Sequence, residues 1–204
     1  MKPIFSEEAM IVVFDLNGVF FTNGFTLAVK RIADHVGKKH EHIENIFSTP
    51  EAKAYRAGVH DPGAFWESVS GHFDDISVIK ELLFSSYVPI PEAHAFFQRL
   101  RKAGIMLGFL SNSPHDRFFY LEQKHRFRKH FDFGIFSFEA GAQKPERPIY
   151  EKLIERCGVL SPEVIFVDDK EENLVPAREL GMSALLFTNF YPLEVDLKKL
   201  GLKF

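Results

Sequence analysis

The chain has 204 residues, of which 46% are hydrophobic and 26% are charged. This composition is ordinary for a soluble globular protein and leaves room for one sizeable domain, or for a core domain with a small insertion. The formal net charge of -3 argues against a general nucleic-acid-binding protein, the single cysteine excludes an intrachain disulfide framework, and no apolar run approaches the roughly 20 residues of a membrane span.

Residues 1–8 carry two glutamates and no long apolar segment, which is unlike a signal peptide. We therefore expect a cytoplasmic protein with no membrane partner and no nucleic-acid partner. A basic stretch at residues 124–130 is interpreted as a solvated helix end, where cations suit the negative pole of the helix dipole. Cys157 lies in a helical pattern and is expected to be a packed core thiol.

Five short apolar segments are typical of buried β-strands. In chain order they cover residues 9–14, 105–110, 133–136, 164–167 and 183–187. Helical patterns separate or follow them at residues 91–103, 114–128, 147–157 and 171–180. Alternation of such apolar strands with helices predicts an α/β fold, a Rossmann-like doubly wound parallel sheet.

One segment, residues 23–88, breaks this alternation, and we call it the insertion. It contains only helical patterns, at residues 25–36, 41–47, 50–57, 62–73 and 77–84. Because it begins just after the first strand and is followed by Pro89 and Pro91, we expect a small all-helical cap domain at residues 23–88. The core domain is then formed by residues 1–22 and 89–204.

Polar side chains gather where the predicted strands end, and ligands bind at that edge of an open α/β sheet. They are Asp15, Ser111, Asn112, Lys144, Asp168 and Asp169. Each residue alone has a local explanation as a turn residue, helix cap or surface lysine, so the prediction depends on their joint position. Neighbouring carboxylates repel unless a cation lies among them, and Mg²⁺ prefers such oxygen ligands. A carboxylate nucleophile, a metal ion, a lysine and a hydroxyl together predict a phosphoryl-transfer site.

These residues resemble the four motifs of the haloacid dehalogenase superfamily: an Asp at the first strand end, a Ser or Thr at the second, a Lys, and an acidic pair. The surroundings are similar as well, in Phe14-Asp15-Leu16, Leu110-Ser111-Asn112, Lys144-Pro145 and Val167-Asp168-Asp169. The resemblance covers the whole chain, with the insertion in place of the family's small cap. Within the superfamily, the chain is most similar to sugar-phosphate phosphatases of the α-glucose-1-phosphate type. The phosphatase-like N-terminal domain of soluble epoxide hydrolases is also similar.

The resemblance implies that Asp15 is a catalytic nucleophile that forms an aspartyl-phosphate. It implies a Mg²⁺ cofactor bound by the Asp15 carboxylate, the backbone carbonyl of Asn17 and the Asp169 side chain. Asp168 would help to hold these groups in place without binding the metal ion directly. Lys144 would share the catalytic role by neutralising charge on the nucleophile and on the phosphate.

The resemblance further implies that Ser111, Asn112 and Lys144 hold the phosphate oxygens. The insertion would close over the site and select the substrate. The expected partner is therefore a small phosphorylated metabolite, such as a sugar phosphate. The sequence leaves the substrate and the oligomeric state open.

Asn17 departs from the pattern of most phosphatases in the family, which carry a second Asp two residues after the nucleophile. That Asp protonates the leaving alkoxide and later activates water, a contribution of roughly 10²–10⁴ in rate, and an amide cannot replace it. Relatives of the glucose-1-phosphate group resemble this chain in lacking it. Three explanations remain open: a water, an insertion residue or the substrate supplies the proton; the enzyme is slow or suited to good leaving groups; or the chain is an inactive homologue that binds phosphate ligands.

Two rival functions are weighed against the phosphatase. A metal-independent haloacid dehalogenase-type hydrolase needs no general acid, because halide is a good leaving group, but it has no use for the Asp168-Asp169 pair. A non-catalytic binding module has little need to keep both Asp15 and Lys144. The insertion residues that could reach a substrate, although each is explained singly by packing or helix surface, are Tyr55, Arg56, His60 and Trp66.

Overall fold

The computed structural model describes residues 10–158 and 160–204. The expected start of the first strand at Ala9 and the expected absence of a signal peptide lie outside the described residues. Within them, the strands form one parallel sheet and confirm the α/β, doubly wound architecture. They are β1 (Ile11–Phe14), β2 (Met106–Ser111), β3 (Phe133–Phe136), β4 (Val164–Asp168) and β5 (Ser183–Leu186).

The strand order β3-β2-β1-β4-β5 places β1 at the centre of the sheet. Phe14, the last residue of β1, lies opposite Phe109 of β2 and Val167 of β4. The backbone N–H of Asp15 still donates to the Val167 carbonyl at 2.8 Å, so pairing continues one residue beyond β1. The order of strands reverses between β1 and β4, which opens a crevice at their carboxyl ends.

Helices occupy much of the remaining chain. Those of the insertion are α1 (Gly24–Val36), α2 (His40–Ile46), α3 (Pro50–Arg56), α4 (Pro62–Ser70) and α5 (Ile76–Phe84). Those that follow are α6 (Pro91–Lys102), α7 (His115–His125), α8 (Ser137–Ala140), α9 (Arg147–Cys157), α10 (Glu171–Glu179) and α11 (Phe190–Lys199). The sequence analysis did not predict α8 and α11.

Alternate residues of β1 point to opposite faces of the sheet. Val12 and Phe14 belong to a hydrophobic cluster with residues of α6 and α11 on one face. Ile11 and Val13 belong to a second cluster with residues of α9 and α10 on the other face. Cys157 is fully buried in this second cluster, as predicted for a core thiol. The central strands are therefore covered on both sides, which explains their continuous apolar sequences.

The interpretation of residues 124–130 as a solvated helix end was wrong in part. Helix α7 stops at His125 because Arg126 adopts a left-handed conformation with φ of 48°. A short 3-10 turn, Phe127–His130, follows. Phe127 and His130 are buried, since this turn packs against the sheet cluster rather than extending into solvent.

The insertion has a hydrophobic cluster of its own, in which Ile32 of α1, Phe65 of α4 and Ile79 of α5 are almost fully buried. Thr49 and Asp61 cap α3 and α4, because their side chains accept the backbone N–H of the third residue along. Its separate cluster is consistent with a cap unit, although the domain boundaries at residues 23–88 stay a prediction.

The two ends of the insertion run side by side. The Thr22 backbone N–H donates to the Val88 carbonyl at 2.9 Å, and the Val88 N–H donates to Thr22 Oγ1 at 3.2 Å. Phe21 and Pro89 form an antiparallel bridge directly below this pair. The insertion thus leaves and rejoins the rest of the chain at one narrow stem.

Within the part of the chain that the structure describes, no helix has the length and apolar character required to cross a membrane.

Candidate active site

Asp15 lies directly after β1 and is only 5% exposed. Its Oδ1 accepts the backbone N–H of Leu16 at 2.6 Å and that of Asn17 at 3.4 Å. Among the described residues, no donor bonds to its other oxygen, Oδ2. Asp15 is therefore held through one carboxylate oxygen, while the second is available to an incoming group.

Lys144 joins Asp15 to Asp168. Its Nζ lies 2.9 Å from Asp15 Oδ1 and 2.6 Å from Asp168 Oδ2, and all three side chains are buried. Burial alone would lower the pKa of Lys144, but the charges of Asp15 and Asp168 outweigh it and raise that pKa, so the ammonium stays charged. Burial raises the pKa of Asp15 to about 7 against the opposing charge of Lys144, and Asp168 adds to the rise.

Asp168 already has donors on both oxygens. Besides Lys144 on Oδ2, its Oδ1 accepts the backbone N–H of Lys170 and the Asn173 side-chain amide, each at 2.9 Å. The Tyr150 hydroxyl in turn donates to the Asn173 carbonyl at 2.7 Å. These bonds fix Asp168, so its main effect in this arrangement is to hold Lys144 in place.

Asp169 packs against the turn that follows β1. Gly18 there has φ of +84°, and a Cβ at this position would lie 2.1 Å from Asp169 Oδ2. Glycine is therefore required both by the backbone conformation and by the approach of the carboxylate. Burial raises the pKa of Asp169, and the charge of Asp168 raises it further.

The donor set at this edge of the sheet fits a magnesium ion. Carboxylate oxygens of Asp15, Asp168 and Asp169 lie within 4.8 Å of one another. Burial is the main reason why the pKa values of Asp15 and Asp169 are raised, and the like charge of Asp168 adds to both shifts. Hard oxygen donors in a crowded, negatively charged cluster are the ligands that Mg²⁺ prefers. The residues that could hold it directly are Asp15 and Asp169.

Ser111 and Asn112 follow β2 at the same edge. Ser111 Oγ is buried and has no hydrogen-bond partner among the described residues. Unpaired buried hydroxyls are rare, and this one suits a group that gains its partner when a ligand binds. The Asn112 side chain donates Nδ2–H to the Lys144 carbonyl at 2.9 Å, and its Oδ1 accepts the Lys144 backbone N–H at 2.8 Å. Sequence analysis predicted a phosphate contact for Asn112, whereas this pairing with Lys144 could not be foreseen.

A cavity of about 460 Å³ lies over these groups, between the strand ends and the insertion. Five of the predicted site residues line it: Asp15, Asn17, Asn112, Lys144 and Asp169. Ser111 and Asp168 are buried and do not line it. The structure thus brings the predicted strand-end residues together, five in the cavity wall and two buried.

The insertion contributes Arg56, Phe47 and Ser48 to the cavity wall. Tyr55 and Trp66, which the sequence also offered as substrate contacts, bond instead to Asp116 of α7: the Tyr55 hydroxyl donates to Oδ1, and Trp66 Nε1 donates to Oδ2 at 2.7 Å. These two residues attach the insertion to the core rather than facing the cavity.

Sequence reasoning missed several residues of the cavity wall. They are Asn23, Phe25, Thr26, Phe47, Ser48, Tyr87, Arg117, Gln143, Lys170, Glu172 and Asn173. His60, by contrast, does not line the cavity. The one signal in the sequence was the position of Lys170, Glu172 and Asn173 shortly after the acidic pair. Arg117 and Tyr87 reach the cavity through tertiary folding, which no local pattern reports.

The sequence profile of the family described as haloacid dehalogenase-like hydrolase matches residues 10–181. A sesquiterpene phosphatase of Aspergillus oryzae is 32% identical over 107 residues, which cover 52% of this chain and 54% of that protein. A bifunctional epoxide hydrolase 2 of Mus musculus is 44% identical over 61 residues, or 30% of this chain and 11% of that protein. The chain thus spans about half or less of the length of these two relatives.

Among solved structures, a haloacid dehalogenase family enzyme of Bacteroides thetaiotaomicron, crystallised with magnesium and inorganic phosphate, superposes with a TM-score of 0.75. Its sequence is 21% identical, and the match covers 91% of this chain and 98% of that one. At this identity the likeness shows a common fold.

Proposed function

The chain belongs to the haloacid dehalogenase-like hydrolases, as its four motifs predict, and on this basis we propose that it is a Mg²⁺-dependent phosphomonoester hydrolase acting on a small phosphorylated metabolite. The observation that carries the proposal is the asymmetric environment of Asp15. Oδ1 is held by Lys144 and two backbone N–H groups, while no donor among residues 10–158 and 160–204 bonds to Oδ2, and Asp15 lines the cavity. This is the arrangement of a positioned carboxylate nucleophile.

The relatives support this choice of reaction. The A. oryzae protein is a phosphatase by name, and the Bacteroides enzyme was crystallised with the two species, magnesium and inorganic phosphate, that such a reaction uses or releases. The acidic cluster of this chain has the donor set for the same cation.

In the proposed reaction, Asp15 Oδ2 attacks the phosphorus atom and forms an aspartyl-phosphate while the P–O bond to the leaving alkoxide breaks. Water then attacks the same phosphorus, releasing inorganic phosphate and regenerating the Asp15 carboxylate. The Asp15 and Asp169 carboxylates and the Asn17 carbonyl would hold Mg²⁺, which would supply positive charge to the phosphoryl oxygens. Lys144 keeps Asp15 oriented and offsets the charge that develops between nucleophile and phosphate.

Ser111 and Asn112 are proposed to bind the phosphoryl oxygens. The unpaired Ser111 hydroxyl gives one donor. One N–H of Asn112 Nδ2 is engaged by the Lys144 carbonyl, which leaves the second N–H of that amide for a ligand. In this proposal Asn112 thus contacts both the phosphoryl group and the backbone of Lys144.

Asn17 cannot protonate the leaving group, so a water molecule or a hydroxyl of the substrate does so in this proposal. The cost of this arrangement depends on the leaving group. An alkoxide of high basicity needs the proton, whereas p-nitrophenolate leaves without one. We therefore propose that the rate of ester hydrolysis falls more steeply with the basicity of the leaving group than it does in relatives that carry the second Asp.

The test compares the wild-type chain with Asn17→Asp and Asp15→Asn, each assayed with p-nitrophenyl phosphate and with a panel of alkyl phosphomonoesters in Mg²⁺. We expect Asn17→Asp to accelerate the alkyl esters by about 10-fold or more and the nitrophenyl ester much less. Asp15→Asn is the inactive control. No turnover by wild type and Asn17→Asp across the panel would refute the enzyme proposal.

Adding a metal chelator and a 2-haloacid substrate to this assay distinguishes a phosphatase from a dehalogenase. A phosphatase of this kind loses activity with a chelator, whereas a dehalogenase acts on 2-haloacids in the chelator's presence. Release of halide from a 2-haloacid without Mg²⁺ would therefore replace the phosphatase proposal by a metal-independent one.

A further inference from the structure

Two arginines line the cavity, and within the described residues neither has a carboxylate partner. Arg117 of α7 is only 7% exposed, yet in the part of the chain that the structure describes its guanidinium bonds to neutral acceptors. Nε donates to Ser113 Oγ at 3.1 Å, Nη1 to the Tyr87 hydroxyl at 2.7 Å, and Nη2 to the Asn112 carbonyl. A buried cation that lacks an anionic partner is costly, so this charge is expected to serve a ligand.

Arg56, which belongs to the insertion, lines the same cavity. It is partly buried at the end of α3, and the one hydrogen bond that its guanidinium makes to a described residue runs from Nη1 to the Phe47 carbonyl at 3.0 Å. Its backbone is fixed to the core, because the Ser137 hydroxyl of α8 donates to the Arg56 carbonyl at 2.5 Å. Most of the five guanidinium N–H groups therefore remain for another acceptor.

The two guanidinium groups influence each other. Burial lowers the pKa of Arg56, and the charge of Arg117 lowers it further, so the two cations are close enough to repel. Arginines are brought together in this way where an anion lies between or beside them, since their planar donors match carboxylate and phosphate oxygens.

We propose that Arg56 and Arg117 form a second anion-binding subsite, so that the preferred substrate carries a second anionic oxygen group in addition to the phosphoryl group that is hydrolysed. The inference rests on the proposed function for the identity of the first group. Donors for the phosphoryl group already stand at the strand ends, in Ser111, Asn112 and Lys144. Arg56 belongs to the insertion, as do Phe47 and Ser48 in the same cavity wall.

A series of non-hydrolysable phosphonates tests this subsite. Three probe types of equal chain length are titrated calorimetrically into the Mg²⁺-loaded protein: alkylphosphonates, ω-carboxyalkylphosphonates and α,ω-bisphosphonates. Chains of two to about five methylenes cover the range of spans that a cavity of about 460 Å³ admits. The uncharged alkyl end is the reference, and the two charged ends separate a carboxylate from a second phosphate as the recognised group.

At the best chain length we expect a charged probe to bind at least about tenfold more tightly than its alkyl counterpart, because hydrogen bonds to a charged group contribute that much free energy. Arg56→Gln should remove most of this difference and change the alkyl affinity by less than about twofold. Arg56→Lys should restore part of it. Lys53→Gln, which removes one positive charge from the same helix at an exposed position outside the cavity, is the matched control.

Two results would overturn the inference: equal affinity of the wild type for charged and alkyl probes, or an equal loss of affinity for both in Arg56→Gln. The second result would mean that Arg56 serves the phosphoryl group itself. Because binding is measured without turnover, a protein that discriminates the probes but hydrolyses no ester would refute the proposed function and leave the subsite standing.

Discussion

The Asn112 side chain and the Lys144 backbone exchange two hydrogen bonds, from Nδ2 to the carbonyl at 2.9 Å and from the backbone N–H to Oδ1 at 2.8 Å. One amide side chain thereby fixes both polar backbone groups of the residue whose Nζ forms ion pairs with Asp15 and Asp168. The position of the ammonium thus depends on a residue 32 places earlier in the chain.

Replacing Asn112 by Ala removes both bonds and leaves two backbone groups of Lys144 without partners. We expect the variant to lose about 1–3 kcal/mol of unfolding free energy in urea. We also expect kcat for phosphomonoesters to fall about tenfold or more, because the lysine is no longer positioned. Asn45→Ala, at an exposed position on α2, is the matched control and should lose less than about 0.5 kcal/mol. An Asn112→Ala variant with wild-type stability and kcat would show that Lys144 is positioned by other contacts.

Gly18 and Gly37 both have positive φ, but only Gly18 would bring a Cβ against another side chain, Asp169. Gly18→Ala is therefore expected to displace Asp169 and to weaken Mg²⁺ binding by about tenfold or more. Gly37→Ala strains the end of α1 at an open position and should lower stability by about 1 kcal/mol while leaving the Mg²⁺ affinity unchanged. Calorimetric titration of Mg²⁺ into both variants distinguishes them. Equal affinities would show that Asp169 is not a ligand.

Asp116 accepts hydrogen bonds from Tyr55 and Trp66 and so attaches the insertion to α7. Asp116→Ala leaves the indole N–H and the phenol hydroxyl unpaired, with an expected loss of about 1–3 kcal/mol of stability. Trp66 is the single tryptophan of the chain, so a red shift of its emission reports loosening of this contact directly. Asp196→Ala removes a carboxylate from an exposed pair with Lys199 and is the control. An unchanged emission spectrum in Asp116→Ala would argue against a bridging role.

His130 gives the stability a defined pH dependence. Burial lowers the pKa of His130 to about 4, and the neighbouring charges of His94, Lys129 and Arg101 act in the same direction. Below the ordinary histidine pKa of about 6.5, the unfolded chain takes up a proton that the folded chain refuses, so folding loses stability as the pH falls towards about 4.

The test compares how the free energy of unfolding changes with pH in the wild type and in His130→Asn. Urea unfolding from pH 7.5 to pH 4.5, chosen to span roughly this window, should show a shallower loss of stability in His130→Asn than in wild type. His42→Asn, at an exposed position, serves as the control for removing a histidine. Parallel profiles for wild type and His130→Asn would mean that His130 titrates alike in the folded and unfolded states.

The sheet and the strand-end residues could be predicted because their signals are local. The segment Ile11–Phe14 is apolar at every position, as a central parallel strand requires, and Asp15 and Asp168 stand at the ends of such strands. Four-residue α8 is too short to show helical periodicity. Helix α11 had a usable signal, since Asn189 caps it by accepting the Tyr191 N–H.

The rest of the site could not be predicted because it depends on distant contacts. The sequence offers no sign that Arg117 binds Tyr87 and Ser113 and thereby lines the cavity. Tyr55 and Arg56 are adjacent in α3, yet one bonds to Asp116 and the other faces the cavity. Only the orientation of the helix, which the packed fold decides, separates them.

The narrow stem at Thr22 and Val88 has a consequence for how this protein can change. Every residue proposed to carry out the chemistry lies outside the stem-bounded segment, whereas Arg56 and Phe47 lie inside it. The segment is therefore joined covalently to the rest of the chain at a single crossing point, and hydrogen bonds to Asp116 and from Ser137 hold it against the core as well. Successive substitutions within it would give descendants with different substrates and one inherited reaction, and a foreign segment grafted at Thr22 and Val88 would have to supply new partners for Asp116 and Ser137.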